Sequence, residues 1–156
     1  MAKEIERKFL VKPGWRPEGA GDYIAQGYLA RSGRAVVRVR IRGERSFLTV
    51  KSSTNGVTRQ EYEYEVPLAD GEALLQLCEG PVIEKHRHLL PAGDGQHTWE
   101  VDVFHGANEG LIVAEIELAS EEEPFPHPEW LSEEVSSDPR YFNCNLAEHP
   151  YREWQQ

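Results

Sequence analysis

Residues 3–11 of the chain read Lys-Glu-Ile-Glu-Arg-Lys-Phe-Leu-Val, and their order predicts a β-strand with two contrasting faces. Side chains at positions i, i+2 and i+4 of a strand lie on one face. One face therefore carries Glu4, Glu6 and Lys8. The other carries Ile5, Arg7, Phe9 and Val11. In an ordinary half-buried strand the polar face is mixed, whereas this one is charged throughout.

Period-2 patterning continues along the chain and predicts eight strands. They lie near residues 3–11, 23–31, 35–42, 46–53, 58–66, 81–91, 97–105 and 111–119. Short turns such as 43–45 and 106–110 join consecutive strands, which favours antiparallel pairing. Residues 69–79 show helical spacing after Asp70 as N-cap and predict a helix that stops at Gly80-Pro81. A short helix is also expected to begin at 121–124.

The charged faces admit two arrangements. Either a flat sheet exposes its charges to water, or a closed barrel turns them inward and packs its apolar faces under helices. A single Glu-x-Glu is more often a solvated face than a site, so the argument depends on the whole set. Eight antiparallel strands suffice for a barrel that holds a small ligand.

A closed barrel would place opposite charges together in its interior. The acidic candidates are Glu4, Glu6, Glu61, Glu63, Glu100, Asp102, Glu115 and Glu117. The basic candidates are Lys8, Arg38, Arg40, Lys51, Arg59, Lys85 and Arg87. Confined carboxylates repel one another unless they are paired or bind metal. Mg²⁺ or Mn²⁺ suits such oxygen ligands, and two ions beside these cations would form a receptor for a phosphate chain.

Size and composition limit the number of domains, the partners and the location of the protein. A length of 156 residues predicts one domain spanning residues 1–156. The net charge of -10 argues against nucleic acid and anionic membranes as partners. Without an apolar stretch of about 20 residues or a secretion signal, the expected location is cytoplasmic. Cys78 and Cys144 are expected to be reduced thiols.

The ordered series of charged pairs resembles the CYTH superfamily, the triphosphate tunnel metalloenzymes. The N-terminal Glu-x-Glu-x-Lys is Glu4-Ile5-Glu6-Arg7-Lys8. It is followed in order by Gln26-Gly27-Tyr28-Leu29, Arg38-x-Arg40, Lys51, Arg59-x-Glu61-x-Glu63, Lys85-x-Arg87, Glu100-x-Asp102 and Glu115-x-Glu117. The resemblance implies an α+β fold, a closed eight-stranded antiparallel tunnel with a charged lumen and helices outside.

The resemblance also implies a metal-dependent inorganic triphosphatase that cleaves triphosphate to diphosphate and phosphate. The eight acids become candidate metal ligands, and the seven cations become phosphate binders. Lys85, aided by Lys8, is our candidate for the general base or water-positioning group, because two nearby ammonium groups should lower each other's pKa. Tyr28 is a candidate substrate contact or a packed aromatic. Residues 138–143 are expected to dock at the tunnel rim.

Other functions remain open from the sequence. An adenylate cyclase of the same fold would use the same metals and cations, and thiamine or nucleoside triphosphatases differ only in substrate. A non-catalytic polyphosphate-binding module is disfavoured, because eight carboxylates would weaken simple anion capture. His86 and His88 lie opposite Lys85 and Arg87 and are expected outside the tunnel. Apolar outer faces make a homodimer a further expectation.

Overall fold

The computed structural model describes residues 3–53 and 57–154. Within these ranges the strands are β1 (Lys3–Val11), β2 (Asp22–Arg31), β3 (Ala35–Arg42), β4 (Arg45–Ser52), β5 (Thr58–Val66), β6 (Glu79–Pro91), β7 (Thr98–Phe104), β8 (Ile112–Glu117) and β9 (Leu131–Glu134). The α-helices are α1 (Leu68–Gln76) and α2 (Asn143–Glu148). Single 3-10 turns occupy Gly106–Asn108, Pro139–Tyr141 and Tyr151–Glu153.

The first eight strands close into a barrel. Their order is β5-β4-β3-β2-β6-β7-β8-β1, and β1 also pairs with β5, where Lys3–Ile5 lie opposite Thr58–Gln60. Every pairing in this ring is antiparallel. The eight-stranded antiparallel barrel predicted from the sequence is therefore confirmed, and closure pairs each strand of the ring on both sides over at least part of its length.

A ninth strand, β9, was not predicted. It pairs with the last part of β1, where Phe9 lies opposite Glu134 and Val11 lies opposite Leu131. Its sequence, Leu-Ser-Glu-Glu, is short and lacks period-2 alternation. The strand forms because β5 leaves the edge of β1 after Ile5, so backbone groups further along β1 are available for pairing.

Two apolar clusters stabilise the barrel. One lies on its outside and is built from Ile5, Phe9, Trp99, Val101, Ala114, Ile116, Leu118 and Leu131. It packs under non-helical chain that brings Trp15, Phe125 and Trp130 onto it. The other contains Ile83, Phe104, Leu111, Val113, Val135, Tyr141, Leu146 and Ala147. Its strand residues share the inward faces with Lys85 and Asp102, so this cluster fills one end of the barrel, where α2 packs on it. The expectation that helices cover the outer faces is met by α1, which packs on β2, β3 and β4, while the first cluster lies under loops.

The helix boundaries differ from those predicted. α1 begins at Leu68 with Pro67 as its N-cap, so Asp70 lies in the first turn rather than at the cap. The helix ends at Gln76 because β6 begins already at Glu79, which pairs with Tyr28. No helix among the described residues is long and apolar enough to cross a membrane.

The prediction of a short helix that begins at 121–124 is wrong. This segment is a turn, in which the Glu123 N–H bonds to the Ser120 carbonyl at 3.2 Å. Pro124 supplies no N–H for a following helical bond. The Glu123 carboxylate instead accepts from the Ala119 N–H at 2.8 Å and contacts His97, which stabilises the turn.

Candidate active site

The barrel encloses a cavity of about 260 Å³ whose walls are charged. The predicted site residues that line it are Glu4, Glu6, Lys8, Tyr28, Arg38, Arg40, Lys51, Arg59, Glu61, Glu63, Lys85, Arg87, Glu100, Glu115 and Glu117. Asp102 lies behind this wall and is 1% exposed. The period-2 alternation in the sequence thus brings nearly the whole predicted set into one space.

Strand register places charges opposite one another across the wall. Glu115 on β8 lies between Glu100 on β7 and Lys8 on β1. The Lys8 ammonium donates to the Glu115 carboxylate, and both side chains are buried. Glu6 lies opposite Glu117 in the same ladder. Two like-charged pairs, Glu100–Glu115 and Glu6–Glu117, therefore meet on neighbouring strands, an arrangement that destabilises a sheet unless a cation compensates it.

Three of these carboxylates converge on a single point. Glu6, Glu100 and Glu115 each offer an oxygen within 4.8 Å of the other two. Burial, together with the charges of Glu115 and Glu4, raises the pKa of Glu6 to about 8. Burial also raises the pKa of Glu100, and Glu115 adds to the effect. With all three carboxylates ionised, the trio would therefore hold more negative charge than its neighbours neutralise.

The donor set of this trio fits a divalent cation. Hard ions such as Mg²⁺ bind carboxylate oxygens, and a bound cation would relieve the repulsion that keeps Glu6 protonated. Glu115 is the ionised member, because Lys8, Arg87 and Lys85 overcome the effect of burial and hold its pKa well below the usual range.

Two of the predicted metal ligands are engaged by cations instead. Asp102 accepts from Lys85 Nζ at 2.7 Å and from Arg87 Nε and Nη2 at 2.8 and 2.9 Å. Glu4 accepts from Arg59 Nε at 3.0 Å and lies 3.4 Å from Lys51 Nζ. Although both groups are buried, these cations lower the pKa of each carboxyl. Neither belongs to the trio.

Arg38 and Arg40 present positive charge to the cavity with little neutralisation. The buried Arg38 Nε has no hydrogen-bond partner, and Arg38 Nη2 lies 3.6 Å from Glu63. Arg40 Nε donates to the side-chain oxygen of Gln26, Oε1, at 2.8 Å. No carboxylate of the described residues pairs with Arg40. Burial, with Arg38 and Arg87, lowers the pKa of Arg40 to about 9, which still leaves it charged at neutral pH. An anion in the cavity would satisfy both groups.

Lys85 is the most deeply buried of the predicted cations and is 1% exposed. Its Nζ lies between Asp102 Oδ2 at 2.7 Å and Asn143 Oδ1 at 2.9 Å. Burial, with the charges of Arg87 and Arg40, lowers its pKa to about 7.

The expectation that the two lysines lower each other's pKa is wrong for Lys8. Glu115 and Glu6 outweigh burial and raise the pKa of the Lys8 ammonium. The lowered pKa of Lys85 arises from burial and two arginines rather than from Lys8. Lys8 and Lys85 therefore differ in their protonation near neutral pH, because two carboxylates raise the pKa of Lys8 while burial and two arginines lower that of Lys85.

Residues 138–143 reach the cavity, as predicted. Phe142, Asn143 and Cys144 line it beside Tyr28. Asn143 and Gln26 are polar contacts that received no role from the sequence, although Gln26 stands in the Gln-Gly-Tyr-Leu signature and Asn143 ends the 138–143 segment. The Gln26 side chain is fully buried and its Nε2 lies 3.3 Å from the Tyr28 hydroxyl.

The two histidines of β6 lie outside the barrel, as expected. His86 Nδ1 lies 2.7 Å from His105 Nε2, and His88 Nδ1 lies 3.2 Å from the Glu18 carbonyl. Both cysteines are free, and neither is part of the carboxylate trio.

The fold and its cavity define a barrel with a charged interior that suits a polyanion beside a divalent cation. The chain belongs to the CYTH domain family, whose family model matches residues 2–151. The resemblance drawn from the sequence is thereby confirmed.

The similarity to known proteins extends along the whole chain. An inorganic triphosphatase of Acetivibrio thermocellus is 44% identical over 158 residues, which covers 100% of both chains. An inorganic triphosphatase of Nitrosomonas europaea is 40% identical and covers 92% of this chain and 96% of its own. A crystal structure of an inorganic triphosphatase superposes with a TM-score of 0.66 at 36% identity and covers 94% of this chain and 95% of that one.

Proposed function

We propose that the chain is a metal-dependent inorganic triphosphatase, a hydrolase that cleaves triphosphate to diphosphate and phosphate inside the barrel. The observation that carries the proposal is one cavity that holds a convergent carboxylate trio and two poorly neutralised arginines. The full-length likeness to inorganic triphosphatases supports the same reaction.

Substrate binding is assigned to the cations of the cavity wall. Arg38 and Arg40 are the main phosphate ligands, because Arg40 pairs with no carboxylate of the described residues and Arg38, 3.6 Å from Glu63, keeps an unbonded Nε. A guanidinium binds a phosphate group through two parallel hydrogen bonds. Arg59, Lys51 and Arg87 would contribute charge while holding carboxylates in place. Tyr28 contacts the substrate from the side of the wall where it meets Gln26.

Metal binding is assigned first to Glu6, Glu100 and Glu115. The ion is Mg²⁺ or Mn²⁺, and a second ion would use Glu61, Glu63 and Glu117, which line the same cavity. Glu4 and Asp102 act on the metals indirectly, since neither offers an oxygen to the convergent trio. When bound, the ions polarise the phosphoryl oxygens and favour ionisation of a coordinated water.

Proton transfer is assigned to Lys85. An amine whose pKa is about 7 can accept a proton from the attacking water near neutral pH. Lys8 assists by holding Glu115 in its ionised form. The reaction consumes one water and breaks one phosphoanhydride bond, and the released phosphate and diphosphate share the protons of that water.

The test is phosphate release from triphosphate with Mg²⁺ or Mn²⁺, with and without a chelator. Glu6→Gln should abolish release, whereas Glu122→Gln, on the exposed 121–124 turn, should not. Parallel incubations use ATP, with cyclic AMP measured, and thiamine triphosphate. Cyclic AMP as the product would indicate a cyclase, and triphosphate binding without turnover would indicate a binding module. Either result would overturn the proposal.

The setting of the enzyme follows from the same features. A small triphosphate is the proposed partner, and the net charge of -10 disfavours nucleic acid and anionic membranes. The proposed location is the cytoplasm. A homodimer would bury the exposed Tyr62 and Tyr64 of β5. Sedimentation velocity measures this, and a single monomeric species at high concentration would refute the dimer.

A further inference from the structure

A chain of side-chain hydrogen bonds connects the phosphate-binding wall to Lys85. Arg40 Nε donates to Gln26 Oε1 at 2.8 Å, and Gln26 Nε2 donates to Asn143 Oδ1 at 3.1 Å. Asn143 Oδ1 also accepts from Lys85 Nζ at 2.9 Å. Two amides therefore link two cations that lie on separate strands, β3 and β6.

The two cations fix the orientation of both amides. Arginine and ammonium groups only donate hydrogen bonds, so the Gln26 oxygen must face Arg40 and the Asn143 oxygen must face Lys85. The Gln26 nitrogen then faces Asn143, as observed. Reversal of either amide would place an N–H group against a cation. Only one orientation of the two amides satisfies every donor and acceptor along this series of hydrogen bonds. The connection between Arg40 and Lys85 is therefore fixed.

Asn143 limits where the Lys85 ammonium can point. Of its three donors, one bonds to Asp102 and one to Asn143, and the third is left for the cavity that Lys85 lines. The Phe104 ring, whose centroid lies 5.3 Å from Nζ, occupies a further side. Without Asn143 the ammonium would keep only Asp102 and could turn away from the cavity.

The position of Asn143 is itself set from outside the barrel. It begins α2, where Leu146 is fully buried and Arg31 Nη1 of β2 lies 2.9 Å from Glu148. Asn145 Nδ2 donates to the Pro139 carbonyl at 2.7 Å, which joins the helix to the preceding 3-10 turn. A segment beyond the barrel strands therefore delivers one polar atom into the interior.

We infer that Asn143 and Gln26 are positioning residues, which hold the Lys85 amine towards the substrate and align it with Arg40. The inference rests on the proposed triphosphatase function and adds two residues to it. Neither residue needs to contact the reacting atoms. Their effect should therefore appear in the rate of the chemical step more than in substrate affinity, because misplacing a catalytic group by about 1 Å can cost on the order of a hundredfold in rate.

The test compares steady-state kinetics of four variants with triphosphate. Asn143→Leu removes the acceptor at similar size and should lower kcat at least about tenfold, with KM changed by less than about threefold. Asn143→Asp keeps the acceptor, but its carboxylate raises the pKa of Lys85, so it should recover most of that loss at alkaline pH, where the amine is again neutral. Gln26→Glu keeps the acceptor for Arg40 but cannot donate to Asn143 when ionised, so it should lower kcat as Asn143→Leu does, and its carboxylate should also raise KM by neutralising Arg40. Asn145→Ala weakens the docking of α2 but leaves the Asn143 acceptor, so it should lower kcat less than Asn143→Leu does.

The outcomes separate the inference from the proposed function. A wild-type protein without activity on triphosphate would refute the function. An active wild type with kcat unchanged in Asn143→Leu, or with Asn143→Asp as slow as Asn143→Leu even at alkaline pH, would refute the positioning role alone. An equal loss in Asn145→Ala would refute it too, because docking of α2 would then be the cause. If Asn143→Leu does not fold, the contrast between Gln26→Glu and Asn143→Asp decides.

Discussion

Lys85 Nζ and Asp102 Oδ2 lie 2.7 Å apart, and each residue is 1% exposed. Arg87 forms two further bonds to the same carboxylate. One acid therefore neutralises much of the charge of two cations behind the cavity wall. In a buried position the removal of such a partner costs more than the pair itself contributes, because a desolvated charge is left without compensation.

Asp102→Asn should consequently destabilise the fold. The loss of the shared carboxylate leaves Lys85 and Arg87 facing each other, and we expect the free energy of unfolding to fall by about 3 kcal/mol or more. Urea unfolding measures the change. The matched control is Asp70→Asn on the exposed first turn of α1, which should change stability by less than about 0.5 kcal/mol. Equal midpoints for the two variants would contradict the role of Asp102.

His97, which lies outside the active site, should make the stability of the fold depend on pH. Its ring lies between Asp94 Oδ2, 2.6 Å from Nδ1, and the carboxylate of Glu123, which bonds to Nε2. These bonds raise the pKa of His97. The stability that it contributes is therefore fully present below the unfolded-state pKa near 6.5 and is lost as pH rises through the higher folded-state value.

The variant His97→Gln should unfold at a clearly lower temperature than the wild type at about pH 5.5, and the difference should narrow by about pH 9.5. Thermal unfolding followed by circular dichroism at both pH values tests this. His149→Gln, at an exposed position after α2, serves as the control. A difference that is independent of pH would show that His97 contributes packing only.

Metal binding should be visible in stability as well as in activity. A ligand that binds only the folded state raises its stability, so Mg²⁺ or Mn²⁺ should raise the melting temperature of the wild type. Glu6→Gln should lose most of this rise. In the presence of chelator above about pH 8, it should melt higher than the wild type, because it removes a carboxylate whose folded-state pKa is raised to about 8.

Two results would contradict the assignment of Glu6 to the trio. One is a wild type whose melting temperature does not respond to either ion. The other is a Glu6→Gln variant that responds as strongly as the wild type. Glu122→Gln is the control for the loss of one negative charge outside the cavity.

Gly71 is where α1 approaches the barrel most closely. A Cβ at this position would lie 2.3 Å from Ser46 Cβ and Oγ. Gly71→Ala should therefore push the helix from β4 and cost about 1 to 3 kcal/mol of stability, despite the better helix propensity of alanine. Gly33→Ala is the control, since nothing lies within 4 Å of its added methyl group. Equal stability of the two variants would mean that Ser46 moves aside without cost.

The parts of the fold that the sequence predicted are those governed by local alternation. The inward set from Glu4 to Glu117 follows from period-2 geometry, since closure turns one face of every strand to the same interior. β9 could not be found in this way, because its four residues pair only where β5 departs from β1. Asn143 was missed as a contact, since an amide at the start of a short helix carries no periodic signal. Gln26 alternates with Tyr28 on β2, but a single neutral amide there does not reveal its partners.

Which acids face the cavity and which serve as counter-ions likewise depends on three-dimensional contacts. Glu100 and Asp102 occupy equivalent positions in an alternating strand, yet one faces the cavity and the other is bonded to Lys85 and Arg87. The sequence gives both the same pattern. Only the neighbouring strands distinguish Glu100, which has a single pairing with Arg87 at 3.3 Å and faces the cavity, from Asp102, which is bonded to two cations as their counter-ion.

The placement of β1 has a consequence for how the protein is made. This first strand pairs with β5, β8 and β9, so its partners extend to residue Glu134. Contacts of such large sequence separation form late and slowly. During synthesis β1 can pair with β5 early, but its pairing with β8 and β9 must wait until residues 112–134 have left the ribosome, and Glu6 meets Glu115 only then. The carboxylate trio is therefore incomplete until β8 emerges, and the strands exposed during that delay are the stage at which chaperones would matter most.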